Sequence, residues 1–232
     1  MNFVNLVLGS SSNQTNTKQL EDELFDKELD NILNHPVPQY SEAEYWESRY
    51  SSEPEPFEWY QTWSNLSPVV LPKMVNPGNV LDVGCGNSSV CSELVKENFN
   101  VTGIDISSCV IKHNKENYVN EETKDKLKFI CCDCLSMKDF QDESFDYVFD
   151  KGTLDSLICS SESNKIVPNY IKEISRVLKK GGIYFVVSYG TPNTRTIHFN
   201  DKNSELQLID TKEIEKPTEK GTYHYVYFVQ KK

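Results

Sequence analysis

Short apolar runs alternate with stretches of helical spacing through most of the chain. The runs at residues 80–83, 101–105, 127–132, 145–150 and 183–189 are of strand length and rich in Val, Ile, Leu and Phe. The segments 88–99 and 107–118 between them repeat apolar side chains at helical intervals. A further helix opens at Pro168, places Tyr170, Ile171, Ile174, Val177 and Leu178 on one face, and is ended by Gly181 and Gly182. Strand, helix and strand repeated in this way predict an α/β fold, its parallel sheet joined by right-handed crossovers and covered by helices on both faces. The last two runs, 205–209 and 223–229, break the alternation. No helical segment long enough for a parallel crossover lies between them, so they are expected to pair antiparallel through the polar stretch 216–221.

Ahead of the first strand the pattern changes. Residues 9–17 are small, polar and without period, which predicts a disordered tail over 1–17. Leu20, Leu24, Phe25, Leu29 and Ile32 then mark an amphipathic helix that stops at Pro36 and Pro38. From Tyr40 to Trp63 the chain is aromatic, with Tyr40, Tyr45, Trp46, Tyr50, Phe57, Trp59, Tyr60 and Trp63 interleaved with acids. The organisation expected is a tail (1–17), an amphipathic helix with an aromatic cap (18–64), and a core (65–232) forming one domain with the cap. Tyr45, Trp46, Arg49 and Tyr50 share a helix face, so two of the rings can reach one pocket. Such rings either close over a ligand or pack on the sheet edge, and a cation beside their faces gains about 0.5–2 kcal/mol.

The candidate chemistry lies where the first strand ends. Val80-Leu-Asp-Val-Gly-Cys-Gly-Asn-Ser88 runs from strand through a glycine turn into a helix, and Gly84, Gly86 and Asn87 offer backbone that a ligand can approach closely. Asp105 ends the second strand, where a carboxylate can accept both hydroxyl hydrogens of a ribose. A dinucleotide site uses the same two features, but here Val90 stands where the third glycine of that motif belongs. Asp133, at the end of the third strand, can accept from an adenine amine, and Ile106, Cys134 and Leu135 supply apolar surface for the ring. The cofactor expected is S-adenosyl-L-methionine. Asp150 and Asp155 flank the end of the fourth strand and are candidates for orienting an incoming amine, although either can instead cap the helix that begins near Thr153.

Composition narrows the class. With 38% hydrophobic residues and no apolar run near the ~18 residues of a membrane span, the 232-residue chain is expected to be cytoplasmic. Seven cysteines scattered through strands and helices suit a reducing compartment. The Cys131-Cys-Asp-Cys134 spacing has no second pair at zinc-finger distance, so no metal is expected. The net charge of −11 is concentrated in residues 18–58, which hold twelve acids against three bases, a net −9. That field opposes nucleic acid and attracts a basic protein.

Tyr45-Trp-Glu-Ser-Arg-Tyr50, Phe57-Glu-Trp-Tyr60, Leu81-Asp-Val-Gly-Cys-Gly-Asn-Ser88, Asp150-Lys-Gly-Thr-Leu-Asp-Ser-Leu157 and Ser188-Tyr-Gly-Thr-Pro192 with Arg195 together resemble the methyltransferase-like proteins that modify lysines of translation elongation factor 1A. The resemblance covers roughly residues 40–231 and implies a class I (Rossmann-like) methyltransferase sheet ending in an antiparallel hairpin. It implies cofactor contacts at Trp46, Tyr50, Trp59, Gly84, Asp105, Ile106, Asp133, Cys134 and Lys151. The Lys151 ammonium has no evident reason to approach a sulfonium and is expected to contribute a backbone contact or to pair with an acid. The function implied is lysine N-methylation of that factor. A small-molecule methyltransferase and a non-catalytic cofactor-binding adaptor are the alternatives, and the sequence leaves the oligomeric state open.

Overall fold

The computed structural model describes residues 38–199 and 205–232. The expected tail, the amphipathic helix of 18–33 and the loop around Asn200 lie outside the described residues. The rest is a seven-stranded sheet in the order β3-β2-β1-β4-β5-β7-β6. Strands β1 (Asn79–Val83), β2 (Asn100–Asp105), β3 (Leu127–Cys131), β4 (Phe145–Lys151) and β5 (Leu178–Ser188) are parallel. β7 (Glu219–Lys231) runs antiparallel to β5 and to β6 (Leu206–Lys216). The helices are α1 (Ala43–Ser52), α2 (Trp63–Val70), α3 (Val90–Lys96), α4 (Ser108–Tyr118), α5 (Thr153–Ile158), α6 (Ser163–Val177) and the short α7 (Pro192–Arg195).

Strand alternation divides the interior into two cores. Val80, Tyr147, Phe149, Phe185 and Phe228 face one side, against Leu66 of α2, Leu94 of α3 and Val110 of α4. Leu81, Val83, Val148, Tyr184 and Tyr227 face the other, against Leu154 of α5 and Tyr170 and Ile174 of α6. Both faces are covered, as a mostly parallel sheet requires.

Three elements differ from the sequence reading. α6 begins at Ser163, not at Pro168, because burial of Val167, Tyr170, Ile171, Ile174 and Val177 outweighs the hydrogen bond that the proline forgoes. Gly181 and Gly182 lie inside β5, where the register against β4 jumps between Phe145 and Tyr147, so they form a bulge and do not end the helix. The hairpin strands are far longer than their apolar stretches. Ile214 to Lys216 and Glu219 to His224 run beyond Ser188, the last residue of β5, and meet in a turn at Pro217 and Thr218.

Candidate active site

The carboxyl ends of β1, β2, β3 and β4 open into a cavity of about 290 Å³. The loop after β1 forms its floor. Gly84 and Gly86 have φ of 65° and 51°, a region glycine enters without penalty. The space a Cβ would take is already filled by the protein: at Gly84 it would strike the Thr153 Oγ1, and at Gly86 the Tyr50 hydroxyl at 2.6 Å. The glycines are therefore needed to seat the loop on α5 and α1 as well as to admit a ligand. Asn114 of α4 donates to the Gly86 carbonyl at 2.7 Å and fixes the turn from behind. Asn87 also lines the cavity, with its amide donating to the Glu55 carbonyl. The start of the helix after the glycine turn is taken by the chain itself: α3 starts at Val90, and Ser89 donates its N–H and its hydroxyl to Glu58 Oε1, at 2.8 and 2.7 Å.

Asp105 lies at the centre. Gly86 N–H donates to its Oδ2 at 3.0 Å and Ser107 N–H to its Oδ1 at 2.9 Å. With one N–H donated to each, the carboxylate keeps acceptor positions for two vicinal hydroxyls. Asp133 lines the cavity from the next strand end, with Oδ1 accepting the Leu135 N–H at 2.8 Å, and Ile106, Cys134 and Leu135 form apolar walls beside it. Asp82, absent from the sequence reading, is a second buried carboxylate on the floor, with the Cys91 thiol donating to it at 3.1 Å.

α1 and the segment after it form the roof. Trp46, Tyr50 and Trp59 all line the cavity, with Trp46 stacked on Tyr50 at 5.7 Å between centroids and edge-on to Trp59 at 6.0 Å. The Arg49 guanidinium lies over Phe57 and Trp59, 5.3 and 5.6 Å from their centroids. Two acids fasten this roof. Glu47 accepts from the Ser107 and Ser108 hydroxyls at 2.6 and 2.8 Å, at the start of α4. Glu58 Oε2 pairs with the Lys151 ammonium at 2.8 Å, and Lys151 also donates to the Trp59 carbonyl at 3.2 Å. Lys151 lines the cavity as an ion-paired strut, which is the role its charge dictates beside a cationic ligand.

The two acids that flank the end of β4 part company. Asp150 does not line the cavity. Adjacent strand residues point to opposite faces, so Lys151 rises into the cavity while Asp150 drops into the α6 core. There it is fully buried, accepts the Tyr170 and Tyr184 hydroxyls at 2.8 Å each, and takes the N–H groups of Thr153 and Leu154 as the cap of α5. In that position its carboxylate is turned away from the cavity and from an incoming amine. Asp155 does line the cavity. Its Oδ1 accepts from Ser188 Oγ at 2.6 Å and Arg195 Nε at 2.9 Å, and its Oδ2 from the Tyr60 hydroxyl at 2.9 Å and the Tyr189 N–H at 2.8 Å.

Burial pushes the carboxyls of Asp82 and Asp105 up to about 6. It pushes that of Asp150 up to about 7, against the opposing hydrogen bonds of the two tyrosines. The native chain thus holds protons that the unfolded chain releases above about pH 4, so these groups make stability fall as pH rises from about 4 to 7. Glu58 has the opposite sign: its burial is outweighed by Lys151 and Ser89, its carboxyl lies below the usual range, and its contribution is lost on acidification. The ligand-free chain is expected to melt at its highest temperature near about pH 5 and progressively lower toward about pH 8. Thermal melts across that range check this, and a melting temperature that climbs above pH 5 would refute it.

The residues fit S-adenosylmethionine. Asp105 has two acceptor positions for ribose, Asp133 and the apolar walls suit adenine, and buried carboxylates and aromatic faces suit an ammonium and a sulfonium. A family model described as a methyltransferase domain matches residues 76–227. The mouse protein named EEF1A lysine methyltransferase 4 is 28% identical over 205 residues, which is 84% of this chain and 76% of that protein. The eEF1A lysine and N-terminal methyltransferase homolog of Drosophila pseudoobscura pseudoobscura is 34% identical over 162 residues. That match covers 68% of this chain but only 24% of the fly protein, so the chain spans about a quarter of that relative. Among solved structures, a SAM-dependent methyltransferase from Methanosarcina mazei superposes with a TM-score of 0.53 at 23% identity, covering 70% of this chain and 97% of its own, and shares the fold. With the family model spanning β1 to β7 and the cavity assembled from its strand ends, the chain belongs to the methyltransferase domain family.

Proposed function

We propose that the chain transfers a methyl group from S-adenosylmethionine to a lysine amine of translation elongation factor 1A. The observation that carries this reading is the character of the roof. The cavity runs along the sheet from the β3 end to the β4 end under aromatic rings, and the segment supplying those rings exposes Glu42, Glu44, Glu53 and Glu55. Aromatic faces suit a cationic side chain and the exposed acids suit a basic protein. The names of the mouse and fly relatives point to the same substrate.

The bound cofactor supplies an electrophilic methyl group: the amine lone pair forms the new N–C bond as the S–C bond breaks onto sulfur, and the amine's surplus proton leaves to water. This chain has to hold the amine and favour its neutral form. A free lysine is neutral about one part in a thousand near pH 7.4, a cost of roughly 4 kcal/mol. Desolvation beneath Trp46, Trp59 and Tyr60 lowers that cost. Asp155, with both oxygens doubly occupied, is not the base. Among the described residues no helix is long and apolar enough to cross a membrane. We place the chain in the cytoplasm with its substrate.

The test is transfer of labelled methyl from S-adenosylmethionine into a eukaryotic lysate, separated into protein and small molecules, with Asp105→Ala as control. One basic protein band at the size of the elongation factor, lost in the control, is the expected result. Label confined to small molecules would replace the protein reading.

A further inference from the structure

Tyr60 departs from the pattern around it. It is a bulky residue held at φ 63°, in the left-handed region, and the strain is retained because several neighbours fix the side chain. Its ring lies 4.9 Å from that of His224, which projects from the long hairpin and is itself held by Gln61 at 3.2 Å. A Cβ on Gly152 would come within 3.3 Å of the ring, so glycine at that position gives the tyrosine its place. The hydroxyl donates its one proton to Asp155 Oδ2. Asp155 in turn is locked by Ser188, Tyr189 and Arg195, and Arg195 also donates to Ser188 Oγ at 3.0 Å.

This network leaves one kind of unused capacity. The four positions of Asp155 are filled, but a phenol that has given its proton keeps two lone pairs. Tyr60 lines the cavity beside Trp59 and Gly152, at the β4 end, two strand positions from the β2 end that holds Asp105. That separation, about 10 Å at the usual strand spacing, leaves Tyr60 beyond the ribose position, where the acceptor amine must enter.

We propose that the Tyr60 hydroxyl accepts an N–H from the substrate amine, turns the nitrogen lone pair toward the methyl donor, and thereby limits how many methyl groups the chain adds. The assignment rests on the lysine reading above. An unmodified amine and a monomethylamine each have an N–H to give when neutral. A dimethylamine has none, so its transfer gains nothing from the hydroxyl and meets it as an obstacle. Asp155 and Arg195 are positioning residues in this scheme, acting through Tyr60.

The experiment follows unmethylated elongation factor 1A, produced in bacteria, with S-adenosylmethionine and either the wild-type chain or Tyr60→Phe. Mass spectrometry reads the mono-, di- and trimethyl forms over time. Tyr60→Phe is expected to slow the first two transfers about fivefold, the effect of one net hydrogen bond, and to leave the third unchanged or faster. The ratio of third to first rate is internal to one preparation, so partial misfolding does not imitate its rise. Calorimetry with S-adenosylhomocysteine should give the same affinity for both proteins within about twofold. Equal slowing of all three transfers, or a tenfold loss of S-adenosylhomocysteine affinity, would overturn the assignment in favour of a structural or cofactor role. No methyl incorporated by the wild-type chain would instead remove the lysine reading itself, and the assignment with it.

Discussion

Asp105→Ala is expected to weaken binding of S-adenosylhomocysteine by at least a hundredfold, about 3 kcal/mol, and to abolish methyl transfer at ordinary cofactor concentrations. The carboxylate is placed to accept both ribose hydroxyls, and hydrogen bonds to a charged acceptor contribute about 1.5–3 kcal/mol each. It also holds the glycine turn through Gly86 N–H and the start of α4 through Ser107 N–H, so its loss loosens the binding surface as well as removing the contact. Calorimetry at pH 7.5 measures the change. Near-native affinity in the variant would mean that ribose lies elsewhere in the cavity.

Glu58→Gln is expected to destabilise the fold by about 3 kcal/mol, the lower end for breaking a buried pair, because Lys151 is left charged with only neutral acceptors in place of its paired carboxylate. At this chain length that corresponds to a melting temperature lower by about 6–12 °C. The glutamate also accepts both Ser89 donors, and the one oxygen that glutamine keeps can serve either Ser89 or Lys151, so the roof loses one of its two attachments, to α3 or to β4. Adding Lys151→Met removes the stranded charge, and the double variant should recover most of the lost stability. Thermal melts of the two proteins give the comparison, and additive losses would show that the ion pair is not the origin of the effect.

The frame of the molecule was readable because its signals are local. The five parallel strands announce themselves as apolar runs, and the glycine turn, Asp105 and Asp133 sit at run ends where the α/β arrangement places ligands. The hairpin's outer half was not readable: residues 210–216 alternate in charge and polarity, and their pairing with β7 comes from partner backbone, not from apolar side chains. The direction of Asp150 turns on parity. Neighbouring residues of a strand face opposite ways, and only the packing of Tyr170 and Tyr184 shows which of Asp150 and Lys151 points into the cavity. Glu47 and Glu58 were hidden among the acids of the cap, since nothing local distinguishes an acid that holds a helix start or an ion pair from one in solvent. Tyr60 was visible only as one ring among many. Its importance lies in contacts with Asp155 and His224, far away in sequence.

The placement of the three tryptophans has an optical consequence. Trp46 and Trp59 line the cavity, and Trp63 is buried in the core with its ring 6.4 Å from that of Phe149 in β4. Emission excited selectively in these indoles is therefore a native, label-free signal to which two of the three contribute from the cavity wall. The protein carries its own fluorescent reporter of ligand arrival.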